Sequence, residues 1–111
     1  MTGQEWTIEY HIDESGREPF RGWHESLRDF KAQTVIDAKM ARVRLGNFGA
    51  CQPVGHGVFE FKIDYGPGYR IYYGRIASKI ILLLCGGDKS TQQKDIQTAH
   101  RFWRQFKERH P

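Results

Sequence analysis

Long apolar segments are absent from this sequence of 111 residues. The longest uninterrupted apolar run extends only from Ile80 to Cys85, whereas a membrane-spanning helix needs roughly 18 apolar residues. The N-terminal segment also lacks the apolar core of a secretory signal peptide. These absences argue against a membrane-spanning or secreted protein, and we expect the chain to act in the cytoplasm.

Cysteine is scarce, and its spacing fits no metal site. Cys51 and Cys85 are the only cysteines, and neither belongs to a Cys-x-x-Cys or Cys/His pair with the spacing of metal ligands. We expect two reduced thiols, with Cys85 buried, and neither a metal nor another cofactor. The histidines are likewise scattered without paired spacing: His11, His24, His56, His100 and His110.

The motifs of several large enzyme classes are missing as well. The chain contains no GxxxxGK[ST] phosphate loop, no GxGxxG after a strand, no HExxH and no GxSxG. The chemistry of those classes depends on phosphate-cradling glycines, paired zinc ligands or an exposed nucleophilic serine. The sequence therefore gives no support to nucleotide hydrolases, dinucleotide enzymes, zinc proteases or serine hydrolases.

What the chain does have is an unevenly distributed basic charge. Its formal net charge is +4, but residues 1–19 hold five acidic side chains against one arginine and sum to −4. Residues 20–111 hold sixteen Lys or Arg against eight Asp or Glu and sum to +8. Such an excess indicates a surface that faces a polyanion, although a merely soluble basic protein would have the same composition.

Length and hydrophobic pattern predict a single α+β domain over residues 1–111. Apolar and polar residues alternate from Trp6 to Tyr10, which is the pattern of a strand with one buried face. From Pro19 onward apolar residues recur every three or four positions. The spacing slips near Ala32 and Gln33, which favours two helices in a hairpin over one long helix, although a kinked helix would show the same slip; the helical region ends at Gly46 and Asn47.

The second half of the chain predicts three strands and a final helix. Charged and aromatic residues alternate over residues 58–63, and residues 69–75 return as the hairpin partner. The apolar segment 79–84 predicts a central strand, and a long amphipathic helix closes the chain. The predicted order is β-α-α-β-β-β-α, with a loop through Pro53 and Gly57 before the second strand.

Cations and phenols are concentrated on the predicted strands. Arg70 and Tyr72 share one face of the third strand, so an exposed Arg–Tyr face would lie beside Lys62 across the hairpin. Guanidinium and ammonium groups bind phosphate, and phenol rings stack on unpaired bases. The basic and phenolic residues of this region are Lys62, Tyr65, Tyr69, Arg70, Tyr72, Tyr73, Arg75, Lys79 and Lys89.

Ordinary packing offers an alternative explanation for each of these residues. Tyrosine is favoured on strands for packing alone, and Glu60 and Asp64 are placed to pair with the cations. Tyr73 is expected in the core. His56, in a glycine-flanked loop, is either a candidate proton-transfer group or a surface residue.

Four segments of the chain resemble a known family. They are EPFRGWHESLRD in the first helix, RLGNFG at the end of the helical hairpin, VGHGVFEFKIDYGPGYRIYYGR across the strand hairpin, and LLLCGGDKSTQQKDIQTA into the last helix. Over nearly its whole length the chain resembles the RelE/ParE superfamily of type II toxins. The resemblance is to the HigB-like branch, often labelled addiction module killer proteins.

The resemblance implies a RelE-like fold, in which a helical hairpin packs on one side of a small, mainly antiparallel sheet. It also implies an mRNA interferase, an endoribonuclease that inhibits translation by cutting mRNA on the ribosome. In that reaction a ribose 2′-OH attacks its own 3′ phosphate without a metal. The protein must orient this hydroxyl, take its proton, neutralise the phosphate and protonate the leaving oxygen.

The resemblance assigns roles to individual residues. Arg70 matches the arginine of the family's GYR segment and would hold the scissile phosphate, while Lys62 and Lys89 match basic positions before and after it. Tyr72 or His56 would orient the nucleophile or transfer a proton. Further RNA-binding residues expected around this site are Arg42, Tyr69, Arg75 and Lys79.

The chain departs from the better-known RelE pattern near its C-terminus. The tyrosine of the family's active segment is missing, and Asp95 stands about where it would be. The identity of the general base is therefore open. The resemblance also implies a cognate antitoxin, commonly of helix-turn-helix type in this branch, which would block the basic surface and bring the pair to operator DNA.

Two other functions remain open from the sequence. ParE-like toxins inhibit DNA gyrase with the same fold, and a fold alone does not determine function. The missing tyrosine also fits a non-catalytic module that binds RNA or the antitoxin.

Overall fold

The computed structural model describes residues 5–111. The fold is α+β, which confirms the predicted class. No helix in this range is both long enough and apolar enough to cross a membrane. A short 3-10 turn, Lys89–Thr91, precedes the last helix. The elements in chain order are β1 (Thr7–Tyr10), α1 (Pro19–Ser26), α2 (Phe30–Arg44), β2 (Cys51–Gly55), β3 (Val58–Ile63), β4 (Tyr69–Ala77), β5 (Ile80–Asp88) and α3 (Gln92–Arg109).

The five strands form one mixed sheet in the order β1-β5-β4-β3-β2. β1 pairs with β5 in parallel, and the other three pairings are antiparallel. β5, the apolar strand that was predicted to be central, has a neighbour on each side. The sheet is therefore mainly antiparallel, as expected, with its N-terminal strand at one edge.

The predicted order lacked one element, because residues 51–55 form an edge strand and not a loop. This strand contains Pro53, and only Val54 within it is partly buried, so it shows neither a strand-like alternation nor an apolar run. A proline is tolerated at a sheet edge, where its missing N–H breaks no ladder hydrogen bond. The additional strand places Gln52 opposite Glu60 of β3.

Helices cover both faces of the sheet. On one face α1 and α2 form the predicted hairpin, and Ile36 and Val43 pack in one core with alternate residues of the strands. On the other face α3 packs through Ala99 and Trp103 against a second core. Cys85 is buried in that second core, as predicted. The two central strands are consequently buried on both sides.

Two tryptophans lie against glycines of the central strands, one on each face. A Cβ atom at Gly86 of β5 would lie 2.3 Å from Cε3 of Trp23 in α1. A Cβ atom at Gly74 of β4 would lie 2.4 Å from Cζ3 of Trp103 in α3. The helices therefore approach the sheet this closely only because both strand positions lack a side chain.

We expect Gly74→Ala and Gly86→Ala each to lower the free energy of unfolding by about 1–3 kcal/mol, because the added methyl group overlaps an indole ring. Urea denaturation measures this loss. Gly22→Ala in α1 is the control, since a Cβ atom there meets nothing within 4 Å and alanine is about 1 kcal/mol more favourable than glycine in helices. Wild-type stability of Gly74→Ala would contradict the position described for α3.

Candidate functional site

An open cleft at the end of the β3–β4 hairpin brings together three of the cations selected from the sequence. Lys62, Arg70 and Lys89 all line this cleft, whose volume is about 600 Å³. The turn between β3 and β4 forms part of its wall through residues 66–68. We refer to it below as the cation cleft.

The strand register explains why these cations meet. Lys62 and Arg70 are direct partners in the antiparallel β3–β4 pair, and Arg70 is in turn paired with Gly87 of β5. Lys89 follows β5 at the same end of the sheet. Gly68 lies between two of the cations, since a Cβ atom there would be 3.3 Å from Arg70 Nη1 and 3.7 Å from Lys89 Cβ. Three separate elements thus supply the three positive charges.

Arg70 is held by its own turn and by a buried carboxylate. Its Nη1 donates to the carbonyl oxygens of Gly68 at 2.9 Å and Tyr69 at 3.2 Å. Its Nε lies 3.8 Å from Oε1 of Glu60. Because Arg70 is only 8% exposed, the expectation of an openly exposed arginine is corrected. None of these contacts uses Nη2, and Arg70 is one of the residues that line the cleft.

Glu60 is a fully buried carboxylate on β3. It lies two residues before Lys62, the partner of Arg70 in the β3–β4 register. Gln52 of β2 donates to its Oε1 at 3.0 Å, and Gln92 of α3 donates to its Oε2 at 2.8 Å. A charge with 0% exposure is stable only when it is paired and hydrogen-bonded. The two amides and Arg70 meet that requirement, so Glu60 orients the arginine and does not itself face the cleft.

Tyr72 is covered by α3 and does not reach the surface. It is 0% exposed and packs in the core on that side of the sheet. Burial, and next the nearby carboxylate of Glu60, raise the pKa of Tyr72 well above its usual value, so the phenol stays protonated. The expectation of an exposed Arg–Tyr face is therefore wrong, because a helix covers this side of β4.

His56 lies at the opposite end of β3 from the cation cleft. It lines a separate groove together with His100 of α3. With about 3.3 Å per strand residue, His56 and Lys62 are separated by roughly 15–20 Å along the chain direction of β3. That separation is too long for proton transfer at Arg70, so the structure removes His56 from this site.

The additional RNA-binding candidates do not form one surface with the cleft. Tyr69 is 8% exposed and belongs to the core beneath the helical hairpin. Arg75 and Lys79 lie near the Trp6 ring, with charge-to-centroid distances of 5.5 and 5.7 Å. Arg42 is exposed on α2. These residues are therefore distributed over other parts of the molecule.

Asp64 is the acidic residue of the cation cleft, and from the sequence it was expected only as a partner for the cations. It directly follows β3, is exposed, and lines the same space as Lys62, Arg70 and Lys89. Its carboxylate forms no ion pair within residues 5–111. A signal was present in the sequence, because an acid two residues after Lys62 points to the same side of an extended strand.

Asp95, which stands about where the resemblance to RelE would place a tyrosine, is engaged elsewhere. Its Oδ2 accepts a hydrogen bond from Thr91 Oγ1 at 2.5 Å at the start of α3. A Cβ atom at Gly87 would lie 1.8 Å from the same Oδ2. The carboxylate therefore packs over the backbone of β5, and the glycine makes room for it.

No protein-family model matches the chain. An uncharacterized protein of Haemophilus influenzae strain Rd is 45% identical to it over 80 residues, which cover 72% of this chain and 81% of that protein. The chain belongs to the same family as that Haemophilus protein. The function has to be inferred from the site, because the relative's description names no activity.

The chemistry of the cleft is that of an anion site. Guanidinium and ammonium groups are the side chains that bind phosphate oxygens most strongly. Within the part of the chain that the structure describes, no group of three or more His, Cys, Asp or Glu is placed to hold a metal ion. Lys62, Arg70 and Lys89 surround a space that a phosphate group fits, with one carboxylate beside it.

We expect Arg70→Met to lower the free energy of unfolding by roughly 3 kcal/mol, because it leaves the charge of Glu60 buried without a cation. Adding Glu60→Gln should recover part of this loss. Urea denaturation of the two single variants and the double variant gives their coupling free energy, which we expect to be about 1 kcal/mol or more. Strictly additive losses would contradict the anchoring of Arg70 by Glu60.

Proposed function

We propose that this protein is the toxin of a type II toxin–antitoxin system, an mRNA endoribonuclease whose active site is the cation cleft. The observation that supports this is the convergence of Lys62, Arg70 and Lys89 on one open space beside an unpaired carboxylate. A helical hairpin on one face of a mainly antiparallel sheet is also consistent with the RelE-like fold that the resemblance implies.

In the proposed reaction the three cations stabilise charge on the phosphate. As the 2′-OH attacks the adjacent phosphorus, negative charge accumulates on the oxygens of that phosphate. The guanidinium of Arg70 is held in position, since its Nη1 donates to the carbonyl oxygens of Gly68 and Tyr69 and its Nε lies 3.8 Å from the carboxylate of Glu60. Preorganised donors of this kind each contribute on the order of 100-fold or more in rate.

Asp64 is the residue that we propose to take the proton of the 2′-OH. Its exposed carboxylate shares the cleft with the phosphate-binding cations. The new bond joins O2′ to phosphorus, and the bond from phosphorus to O5′ breaks. An ammonium group of Lys62 or Lys89 donates the proton that the leaving O5′ requires. The products are a cyclic phosphate and a free 5′-OH.

This function defines the partners of the chain. The substrate is mRNA, cut on the ribosome in the cytoplasm so that translation stops. A cognate antitoxin, of helix-turn-helix type, blocks the toxin and brings the complex to operator DNA. Neither a metal nor another cofactor takes part in the proposed reaction.

We expect Lys62→Ala/Lys89→Ala to reduce mRNA cleavage on the order of 100-fold or more. Both lysines are exposed, so their removal should change the free energy of unfolding by no more than about 0.5 kcal/mol. Primer extension on mRNA from cells expressing the wild type should show discrete new 5′ ends that the double variant lacks.

The control for this double variant is Arg17→Ala/Arg21→Ala, which removes two exposed cations near the β1 edge of the sheet. The control should leave the new 5′ ends unchanged. Undiminished cleavage by Lys62→Ala/Lys89→Ala would exclude the cation cleft as the active site. Intact transcripts combined with loss of gyrase supercoiling would favour a ParE-like gyrase inhibitor instead.

We expect Asp64→Asn to lower the cleavage rate by about 100-fold, which is within the usual contribution of a general base, without weakening RNA binding. The amide is nearly the same size but cannot accept the proton. Single-turnover cleavage and equilibrium RNA binding, measured on the same preparation, separate the two effects. An unchanged rate would remove Asp64 from the mechanism and leave the phosphate-binding role of the cations intact.

A further inference from the structure

A second cationic groove lies at the other end of β3, between the β2–β3 turn and α3. Its volume is about 580 Å³, close to that of the cation cleft. Its basic lining residues are His56, His100, Arg104 and Lys107, and no acidic residue of the described range lines it. We call it the turn–helix groove.

The helical spacing aligns three of these residues. His100, Arg104 and Lys107 follow one another at intervals of four and three positions, which places them on the same face of α3. Trp103 supports this face from below, because its ring packs against Gly74 of the sheet. Arg104 and Lys107 themselves are exposed, so their charges remain available to a ligand.

His56, the fourth basic residue of the groove, lies in the two-residue turn between β2 and β3, which brings it next to the helix. His56 has φ 57° and Gly57 has φ 84°, as a two-residue turn with positive φ at both central positions requires. Residues other than glycine seldom adopt this conformation. The ring of His56 lies 4.5 Å, centroid to centroid, from the ring of His100. Nε2 of His100 is in turn 2.9 Å from the carbonyl oxygen of Val54 and donates to it.

The turn and the helix fit each other closely. A Cβ atom at Gly57 would lie 2.9 Å from Nε1 of Trp103, so only glycine allows the turn to approach α3 in this way. The turn therefore lies directly against α3. His56, with its strained backbone, contacts His100 there, and Gly57 approaches Trp103. Such local strain is commonly retained where it serves a site.

We propose that the turn–helix groove is a second binding site for the RNA backbone, which holds phosphates of the same strand that is cut in the cation cleft. This inference rests on the proposed function, which supplies the RNA. The groove and the cleft lie at opposite ends of β3, roughly 15–20 Å apart. An extended single strand a few nucleotides long bridges that distance.

The lining favours a phosphate backbone over an acidic protein segment. Protein interfaces depend on apolar and aromatic residues that become buried on binding. Trp103, the aromatic residue of the groove besides the two histidines, is already buried at 7% exposure. The accessible groups are instead the guanidinium of Arg104 and the ammonium of Lys107, which suit phosphate oxygens.

The test is binding of a single-stranded RNA whose 2′-hydroxyls are methylated, so that binding is measured without cleavage. We expect Arg104→Ala/Lys107→Ala to weaken binding of an oligonucleotide of about twelve residues on the order of ten-fold. The slope of log affinity against log salt should decrease by about 1.4, since each phosphate contact on a single strand contributes about 0.7. Fluorescence anisotropy over a salt series measures both quantities.

Arg101→Ala/Arg109→Ala is the matched control, because it removes two exposed charges from other faces of the same helix. We expect this control to change neither affinity nor slope. A dinucleotide, too short to reach from the cleft to the groove, should not distinguish Arg104→Ala/Lys107→Ala from the wild type.

Equal losses in both double variants would overturn the proposal, since they would reflect net charge alone. Wild-type RNA binding by Arg104→Ala/Lys107→Ala, combined with loss of an acidic protein partner, would overturn it in favour of a protein-docking surface. The proposed nuclease function fails separately if the wild type binds RNA through the groove but produces no new 5′ ends. Absence of any RNA binding by the wild type would overturn both.

Discussion

The buried carboxylate of Glu60 is the contact on which the rest of the candidate site depends. It accepts hydrogen bonds from Gln52 of β2 and Gln92 of α3, and it lies 3.8 Å from Nε of Arg70 on β4. One side chain therefore joins three strands and a helix. A buried charge tolerates little displacement of its partners, so these contacts fix the distance between α3 and the strand that supports the cleft.

This arrangement divides the cations of the cleft into two kinds. Arg70 is nearly buried, is hydrogen-bonded through Nη1 to two backbone carbonyls and lies beside the Glu60 carboxylate, whereas Lys62 and Lys89 are exposed. A fixed guanidinium needs no reorganisation when charge develops on a phosphate, which is the condition under which electrostatic stabilisation is largest. The flexible ammonium groups can instead follow a moving proton or a leaving oxygen. The cleft thus combines one fixed guanidinium, that of Arg70, with two mobile ammonium groups, those of Lys62 and Lys89.

Local patterns predicted the elements that define the cleft. The neighbouring positions of Lys62 and Arg70 followed from the alternation of two strands joined by a short turn, and the register confirms it. The pattern did not predict the burial of Tyr72, because a period of two identifies a face of the strand but not what covers that face. The edge strand at 51–55 was missed for a related reason, since Pro53 and its exposed neighbours resemble a loop.

Contacts between distant segments were out of reach of such patterns. The hydrogen bond from Gln92 to Glu60 joins residues that are 32 positions apart, and no local sequence pattern predicts it. The distance of His56 from the cleft could have been predicted by counting residues, because the six residues of β3 separate it from the turn after that strand. Choosing it by residue type alone ignored that distance. Asp64 was passed over because a carboxylate beside cations was interpreted as a partner for them.

The sheet order also explains how an acidic N-terminal segment coexists with a polyanion-binding surface. Residues 1–19 sum to −4, and β1, which carries Glu9, lies at the edge next to β5, whereas Lys62 lies on β3. Three strand spacings of about 4.8 Å separate β1 from β3, or about 14 Å. That distance exceeds the screening length of about 8 Å at physiological salt. Glu9 on β1 therefore does little to cancel the field of the cleft. The field of the sheet thus favours an anionic ligand at the end of β3 and β4, where Lys62 and Lys89 are exposed.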